Sequence, residues 1–573
     1  MSRQASKIAQ QNIGNCHRSL AADRNTGSVK KTEVACSDEP PFGDGRVQLV
    51  SLLNAAVAAA VYILHYESFR VTAGVMDHWC SRPEEFANLS VKQWKELAIP
   101  VEEDGVYSRC TMREPPFGGA NNRVIPCASW EFDLDKYGKN IVSEWALVCD
   151  RAWLITLARL VYAAACIVFT PLVSRLADHV GRKLIVFSII PVVLITGVAS
   201  ALPNDFHFFV TVRAVVSAAT SSTVPPVFAI LWEVSPPRKA PLYCVVAILA
   251  TVVVADSAVS AAEVVKTGWA TLQLILMVPT FLLVALYFTF EDSPNWLVAT
   301  GRVGEAERVS VHLAKSNGVT ATRCRELFAL QLRTRPRDEV ETVKQSNPCG
   351  PRLRSRTVLL LYMWIVFSYA QDSYVTNDGI PMSGPAKLIA AVMSLSVCLL
   401  FTRWVLHYGP KRTVVASGLV FSASLAAITA TPADEETVLR NVLIILLNVS
   451  GYSILSNFGM LTLHLYPVTA RSVALANAIA STRVGDTLAQ MSTALIGPGW
   501  HTGSGLVIAA VTMALFVIAG EHLPDEHRTG ASAVPPSRRR SSAGEELRRA
   551  FRETLKPLHI KRAKQGDRKP RKN

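Results

Sequence analysis

Long apolar stretches separated by short polar segments recur along most of the chain. A helix needs about 20 predominantly apolar residues to cross the hydrocarbon core of a bilayer, and the stretches approach or exceed that length. The pattern predicts about twelve membrane-spanning helices and therefore an all-α membrane protein. The predicted spans are 47–66, 153–173, 184–202, 207–232, 241–263, 269–290, 356–377, 385–406, 412–431, 438–463, 472–496 and 503–521.

Composition supports a membrane protein and argues against a nucleic-acid-binding one. Half of the 573 residues are hydrophobic and only 18% are charged, which is too apolar for a soluble protein of this length. The net charge of +14 resides largely in residues 302–356 and 528–572, between or after the apolar blocks. Lys and Arg gather in the cytoplasmic loops of membrane proteins. We therefore expect the lipid bilayer as a partner, and no nucleic acid.

An even number of spans places both termini on one side, and the basic C-terminal tail assigns that side to the cytoplasm. The first residues are polar and lack the pattern of a cleavable signal peptide. The predicted segments are a disordered N-terminal segment at 1–46, a six-helix half at 47–290, a cytoplasmic central loop at 291–355, a second six-helix half at 356–521 and a tail at 522–573.

Residues 67–150 are predicted to form a large extracellular loop. The loop carries 9 Lys/Arg against 14 Asp/Glu, so its net charge is opposite to that of the tail. An even number of cysteines in an oxidising compartment predicts two disulfides, with three possible pairings. Asn88 begins an Asn-Leu-Ser glycosylation sequon in the same loop. The four cysteines are Cys80, Cys110, Cys127 and Cys149.

The two long basic segments also contain amphipathic patterns. Residues 301–318 predict a helix whose apolar face includes Ala306, Leu313 and Ala314. In the tail, apolar residues spaced four apart among basic ones predict contact with an anionic membrane surface, with a solvated basic tail as the alternative. We find no metal-ligand spacing, nucleophile elbow or phosphate-binding glycine loop, and so expect no enzyme activity, cofactor or metal.

Three short charged segments in the first half recur in the second half at offsets of 228, 233 and 233 residues. Repeated six-helix halves are typical of transporters whose halves rock about a central site and give alternating access. The matched pairs are Gly181 and Gly409, Arg238 and Arg471, and Asp292 and Asp525.

Charges in these segments lie on the predicted cytoplasmic side, between the two halves. Ion pairs and helix-end contacts there would hold an inner gate shut and release it when the halves move. The predicted gating residues are Asp178, Arg182, Lys183, Glu233, Arg238, Asp292, Lys411, Arg412 and Arg471.

The segment RLADHVGRK at 175–183 resembles the loop motif after the second helix of the major facilitator superfamily. In that family the acidic residue and the basic pair of the motif join a charge network that stabilises the outward-open state. Asp178, Arg182 and Lys183 fill those positions, and Ser174 replaces the usual leading glycine. The resemblance implies the major-facilitator-type fold, with about twelve helices in two pseudo-symmetric six-helix halves.

Within that superfamily the chain resembles the organic cation, anion and carnitine transporters. This implies a plasma-membrane transporter of small organic ions that works by alternating access. Two motifs depart from the family, with Asn295 where Arg is usual and His464 where Glu is usual. The motifs that carry the resemblance are HWC at 78–80, SWEFD at 129–133, SEWALVCDRAWL at 143–154, DSPNWLVATGR at 292–302 and LYPVTAR at 465–471.

Ionisable residues inside the predicted spans are candidates for substrate contacts because burying them in a membrane is costly. The segment ASTRVGDTLA at 480–489 resembles the anion-handling branch of the family, in which this position is basic. Arg483 is therefore predicted to bind a carboxylate or sulfate, with a structural pair to Asp486 as the alternative. Arg213 is predicted to be a gating or packing charge, and the role of Arg159 is left open.

The seventh predicted span carries Gln371 and Asp372 where the family often has paired tyrosines. The acid would suit an ammonium group and, together with Arg483, a zwitterion such as carnitine. Asp256 is ambiguous between a substrate carboxylate and a structural polar residue. The predicted substrate-binding residues are Arg483, Asp372, Gln371, Tyr369, Tyr374, Trp364 and Asp256, of which the aromatic ones would supply stacking or cation–π contacts.

The sequence therefore predicts a secondary transporter that favours organic anions. The alternatives are a transporter of organic cations or carnitine-like zwitterions, and a non-transporting membrane sensor on the same scaffold. The departures at Ser174, Asn295 and His464 keep the sensor open because they fall in gating motifs. A channel is disfavoured by gate motifs in both halves.

Overall fold

The structure is a computed structural model that describes most of the membrane-embedded chain. It covers residues 40–74, 76–102, 105–114, 123–134, 138–202, 205–264, 267–334, 354–373, 410–430, 438–496 and 500–522, together with positions 393 and 396.

The first membrane helix, α1, spans Arg46–Thr72. Its start is fixed by Gln48, whose side chain accepts a hydrogen bond from Gly45 N at 2.8 Å and donates one to the Val234 carbonyl at 2.9 Å. We call the end of the bundle where α1 begins the gate end, and the end where α1 finishes the loop end.

A small domain follows α1 at the loop end. It contains β1 (His78–Cys80), α2 (Val91–Ala98), β2 (Thr111–Glu114), β3 (Arg123–Pro126), β4 (Trp130–Phe132) and α3 (Ile141–Glu144). The strands form two antiparallel pairs, β1 with β4 and β2 with β3. Trp94 is fully buried between them and donates a hydrogen bond from Nε1 to the Cys80 carbonyl at 2.9 Å.

Two disulfides cross-link this domain. They join Cys80 to Cys127 and Cys110 to Cys149, which selects one of the three pairings that the sequence left open. Asn88 is exposed just before α2, so its side chain is accessible to a glycosyltransferase, and glycosylation stays a prediction. Hydrogen bonds from Arg82 and Trp79 outweigh the opposite effect of burial and lower the pKa of the Glu131 carboxyl.

The remaining membrane helices of the first half pack around α1. The helix α4 continues to Val180, seven residues beyond its predicted end, so Asp178 lies in the last turn of a helix rather than in a loop. Gly181, at φ +141°, ends α4, a backbone conformation that favours glycine. The helices are α4 (Trp153–Val180), α5 (Arg182–Ala199), α6 (Phe206–Val234), α7 (Ala240–Val264), α8 (Trp269–Met277) and α9 (Leu286–Thr289), with a 3₁₀ segment at Val278–Ala285 between the last two.

Three helices of the central loop cover the gate end of the first half: α10 (Pro294–Ala299), α11 (Val303–Asn317) and α12 (Ala321–Thr334). The predicted apolar face of α11 is confirmed, since Ala306, Leu313 and Ala314 are buried. Asn317 ties the end of α11 to the start of α1, because its side chain accepts a hydrogen bond from Val47 N at 2.9 Å.

The second half contributes α13 (Arg354–Gln371), α14 (Pro410–Ala430), α15 (Val438–Leu465), α16 (Arg471–Ile496) and α17 (Trp500–His522). Eleven of the twelve predicted spans coincide with described helices, and the twelfth, 385–406, lies outside the described residues except for positions 393 and 396. In the described part of the chain, seven helices are long and apolar enough to cross a membrane by length and composition. Helices of the two halves meet where α4 and α6 pack on α16 and where α7 packs on α15.

Candidate functional site: a gate and a charged cavity

Four of the predicted gating residues form one buried network at the gate end. Glu233, on α6, accepts hydrogen bonds from Arg182 at 2.7 Å and lies 3.3 Å from Arg471, which begins α16. Arg182 is also paired with Asp178 at 3.1 Å. Two arginines and two acids thus balance in charge, which buried ions require.

The network crosses from one half of the molecule to the other. Arg182 donates to the Val468 carbonyl at 2.7 Å, and Asp178 accepts a hydrogen bond from Val473 N at 3.2 Å. Leu463 and Leu475 of the second half join the apolar core of the first half beside these contacts. Both charge pairs and apolar packing therefore join the two halves at the gate end.

The segment before α10 supports the gate from the side of the central loop. Lys183 donates from its backbone N–H to Asp292 at 2.9 Å and from Nζ to Glu291 at 2.8 Å. Burial raises the pKa of the Asp292 carboxyl. Asn295 donates a hydrogen bond to the Glu233 carbonyl at 2.9 Å, and Trp296 Nε1 donates to the Asp178 carbonyl at 3.0 Å.

The other three predicted gating residues lie just before α7 or in the first turn of α14. Arg238 and Arg412 are exposed, and Lys411 is half-buried. Their gating role stays a prediction, as does that of the network itself.

A cavity of about 230 Å³ occupies the loop-end half of the bundle, between α1, α4 and α6 of the first half and α13 and α16 of the second. Its wall carries four arginines and three acids. These are Arg70, Arg159, Arg213 and Arg483, and Glu67, Asp372 and Asp486.

Arg483 lies at the interface of the two halves. Its guanidinium donates to Tyr62 Oη at 2.8 Å and to Asp486 at 2.7 Å, and it stacks on the Tyr66 ring at 3.4 Å from the ring centre. Tyr66 Oη in turn donates to Asp486 at 3.3 Å. Both sequence interpretations of Arg483 therefore describe part of its surroundings: it is paired with Asp486, and it lines the cavity.

Asp372 closes the cavity from the end of α13. It is buried, and its Oδ2 atom has no hydrogen-bond partner. The other two acids are paired, Glu67 with Arg70 at 3.4 Å and Asp486 with Arg483. The structure therefore brings Asp372 and Arg483 to one cavity, as the sequence predicted, and leaves Asp372 incompletely satisfied.

Two arginines of the wall contact aromatic rings instead of acids. Arg213 is buried and lies 4.8 Å from the Phe69 ring centre and 5.0 Å from that of Tyr162. Arg159 lies 5.8 Å from the Phe69 ring centre. Within the described ranges, neither arginine has a carboxylate at salt-bridge distance. The sequence predicted a gating or a packing charge for Arg213, and its buried position against aromatic rings, near the loop end of α6, fits the packing role.

Several predicted substrate residues lie away from this cavity. Trp364 is buried against Phe458, with ring centres 5.2 Å apart. Tyr369 donates to Ser492 at 3.2 Å, and Gln371 is not part of the cavity wall. These residues were predicted from a motif alignment that does not fix the direction of each side chain. Tyr374 and the Asp256 side chain lie outside the described residues.

The tyrosines that contact Arg483 or line the cavity were not predicted from the sequence. Tyr62 and Tyr66 are four residues apart on α1, a spacing that places them on one face, and Tyr162 lies on α4. The spacing was a usable signal, but their partner Arg483 is 421 residues from Tyr62 in the chain.

Comparison with known proteins identifies the family of this chain. Residues 152–489 match the model of the Major Facilitator Superfamily. The chain is 24% identical over 522 residues to a beta-alanine transporter of Drosophila melanogaster, covering 82% of each chain. It is 26% identical to an organic cation transporter protein of the same species, over 78% of this chain and 84% of the relative.

A third relative and a solved structure agree with these matches. Mouse (Mus musculus) solute carrier family 22 member 4 is 24% identical over 73% of this chain and 79% of its own length. The proton:xylose symporter XylE, solved with 6-bromo-6-deoxy-D-glucose, superposes with a TM-score of 0.56 at 13% identity, over 83% of this chain and 95% of that one. At this identity the structural likeness shows the fold alone.

Proposed function

Because the chain belongs to the major facilitator superfamily, whose members are secondary transporters and not enzymes, we propose that it moves small organic anions across the plasma membrane by alternating access. That the chain is a multi-pass secondary transporter related to solute carrier family 22 follows from the family. The preference for anions is inferred from the residues of the cavity.

Arg483 is the observation that carries this proposal. A guanidinium offers a planar set of donors that matches a carboxylate or sulfonate, and here it lies in a cavity shared by the two halves. Arginines outnumber acids on the cavity wall by four to three, and Arg159 and Arg213 have aromatic rather than acidic neighbours. An anion is the ligand that such a wall attracts.

The size of the cavity supports a small substrate. Its volume of about 230 Å³ is below the ~300–1,000 Å³ of most pockets for drug-sized ligands. Phe69, Tyr66 and Tyr162 give the wall an aromatic portion on which an apolar group of the substrate would pack. A single-ring aromatic anion combines both features.

A zwitterion is the second candidate, and Asp372 is the observation that favours it. The unpartnered oxygen of Asp372 would accept an ammonium group while Arg483 binds the acid group of the same substrate. The similarity to a beta-alanine transporter points in the same direction. An organic cation alone would leave Arg159 and Arg213 of the wall without a counter-ion.

Uptake of three labelled probes into expressing cells tests the charge preference. The probes are benzenesulfonate as anion, benzyltrimethylammonium as cation and β-alanine as zwitterion, with cells carrying empty vector as control. We expect uptake of benzenesulfonate above control and none of benzyltrimethylammonium. Uptake of β-alanine alone would favour the second candidate, and uptake of the cation alone would refute the anion proposal. No uptake of any probe in correctly localised protein would favour a sensor.

We place both termini in the cytoplasm, which puts the gate end inside the cell and the disulfide-bonded domain outside. The acidic, cysteine-containing domain and the basic tail support this orientation. We expect an antibody to reach an epitope tag at either terminus only after the membrane is permeabilised. The proposed contact of the tail with anionic lipid concerns residues outside the described ones and stays a prediction.

A further inference from the structure

We infer that Asp372 couples anion transport to protons, so that each anion crosses the membrane together with one proton. The inference rests on the proposed function, because it takes the substrate to be an anion bound at Arg483. It names the proton gradient as the driving force of transport, which neither the family nor the preference for anions specifies.

Asp372 differs from the other acids of the cavity in what surrounds it. Glu67 has Arg70 and Asp486 has Arg483 as ion-pair partners, whereas Asp372 Oδ2 is buried without a hydrogen-bond partner. A buried carboxylate without a full set of partners is costly in its charged form and takes up a proton instead. Of the three acids of the cavity, Asp372 is therefore the one whose charged form is least stabilised by its neighbours.

Charged and titratable groups on four described helices line the cavity around Asp372. Asp486 and Glu67 repel a negative charge on Asp372, whereas a hydrogen bond with Gln490 and the charge of Arg159 favour one. The titratable and charged groups of the surrounding wall are Tyr66, Glu67 and Arg70 on α1, Arg159 and Tyr162 on α4, Arg213 on α6, and Arg483 and Asp486 on α16.

A substrate anion adds one more negative charge to this set. At Arg483 it would lie next to Asp486, and a charged Asp372 would make three negative groups around one paired guanidinium. Like charges at such distances in a partly desolvated cavity oppose each other strongly. The anion therefore binds better when Asp372 carries its proton, and by linkage the bound anion strengthens the binding of that proton.

Because the anion and the Asp372 proton each strengthen the binding of the other, they cross the membrane together. With the loop end open, Asp372 takes a proton from the adjoining water and the anion binds beside it. After the halves rock, the anion leaves at the gate end, and Arg159 and Arg213 on the wall then favour the charged form of Asp372, which releases its proton to the same solution. The carrier returns with Asp372 ionised, so one proton moves with each anion. No bond other than the O–H bond of the carboxyl forms or breaks. For a monovalent anion the net movement of charge is zero.

Proton and anion fluxes in proteoliposomes provide the test. Purified full-length protein is reconstituted with a trapped pH-sensitive dye, and valinomycin with equal potassium on both sides holds the membrane potential at zero. Labelled benzenesulfonate is the probe, because a sulfonate stays ionised and does not carry protons across lipid as a neutral acid. We expect about one proton per benzenesulfonate, and about tenfold accumulation for an inward gradient of one pH unit.

Two variants locate the coupling. Asp372→Asn should lower the ratio of protons to benzenesulfonate to near zero, whatever transport rate remains. The control Glu84→Gln removes an exposed acid of the disulfide-bonded domain and should keep the ratio near one. If Asp372→Asn proves inactive, Asp372→Glu keeps an ionisable group and must retain the ratio.

The outcomes separate this inference from the proposed function. Benzenesulfonate flux without protons in the wild-type protein would overturn the coupling and leave the anion proposal standing. An unchanged ratio in Asp372→Asn would likewise overturn the role of Asp372. Absence of any benzenesulfonate flux would refute both.

Discussion

The guanidinium carbon of Arg483 lies 3.4 Å from the centre of the Tyr66 ring, although the two residues belong to different halves of the molecule. Tyr66 is on α1 and Arg483 is on α16, and Asp486 is bonded to both side chains. With the proposed function, a substrate bound at Arg483 would change a contact across the interface between the halves. We expect this contact to link substrate binding to the movement of the halves.

Replacing Arg483 by Lys should impair anion transport more than replacing Arg70 by Lys. Lysine keeps the positive charge at position 483 but loses the planar fork and the stack on Tyr66. We expect kcat/KM for benzenesulfonate to fall at least about tenfold in Arg483→Lys, equivalent to about 1.4 kcal/mol. Arg70→Lys should change kcat/KM for benzenesulfonate less than about twofold, because the Arg70 side chain is 43% exposed. Equal effects would argue against a special role for Arg483.

Neutralising Glu233 should open the gate end. Glu233 is the shared partner of Arg182 and Arg471, and removing one partner of a buried ion pair costs about 3–5 kcal/mol. In a Val468→Cys background, Glu233→Gln should increase labelling by a membrane-impermeant maleimide applied from the gate end. The control is Lys183→Ala, which removes a half-exposed pair and should leave labelling unchanged. Unaltered labelling in Glu233→Gln would mean that apolar packing alone closes the gate.

Adding one methyl group at Gly485 should disrupt the contact between α13 and α16. A Cβ atom there would overlap the Ile365 carbonyl oxygen, a backbone atom that cannot rotate away. Gly485→Ala should therefore lower the melting temperature sharply or prevent folding. The matched control is Gly459→Ala, where the new Cβ meets only the tip of the Ile248 side chain at 3.1 Å. Similar melting temperatures for both variants would contradict the tight packing beside Arg483.

Removing the hydroxyl of Ser174 should stabilise the protein. Ser174 is fully buried on α4, and its Oγ atom has no hydrogen-bond partner. An unsatisfied buried polar group costs about 1–3 kcal/mol, so Ser174→Ala should raise the melting temperature in detergent. Ser174→Gly should raise it less, because glycine in a helix interior costs about 0.5–1 kcal/mol. A lower melting temperature for Ser174→Ala would indicate that the hydroxyl is satisfied.

The fold was largely predictable because hydrophobicity and length alone determine which segments can cross a bilayer. The resemblance to the organic cation, anion and carnitine transporters is confirmed by the relatives that match over most of the chain. The ends of the helices were harder to predict where charged residues lie within the last turn of a helix. Asp178 is charged and was expected between helices, yet it remains helical because its carboxylate is paired with Arg182 one turn later.

The site was only partly predictable, since its residues come together from distant parts of the sequence. Arg213 and Glu233 were grouped as charges of the fourth span, but the 20 residues between them correspond to about 30 Å along α6. One therefore lies at the cavity and the other at the gate. Trp364 shows a second reason why the site was hard to predict. It lies in the seventh predicted span, as expected, but its ring packs against Phe458 instead of facing the cavity.

The central claim is that one cavity is exposed alternately at the two ends of the bundle, and exchange across a sealed membrane tests it most directly. Proteoliposomes containing the purified protein are preloaded with unlabelled benzenesulfonate or left empty, and the initial uptake of labelled benzenesulfonate is compared. The account predicts saturable uptake that internal benzenesulfonate accelerates, because a loaded carrier returns faster than an empty one. Uptake that rises linearly with concentration and ignores internal benzenesulfonate, or no uptake above protein-free vesicles, would contradict it.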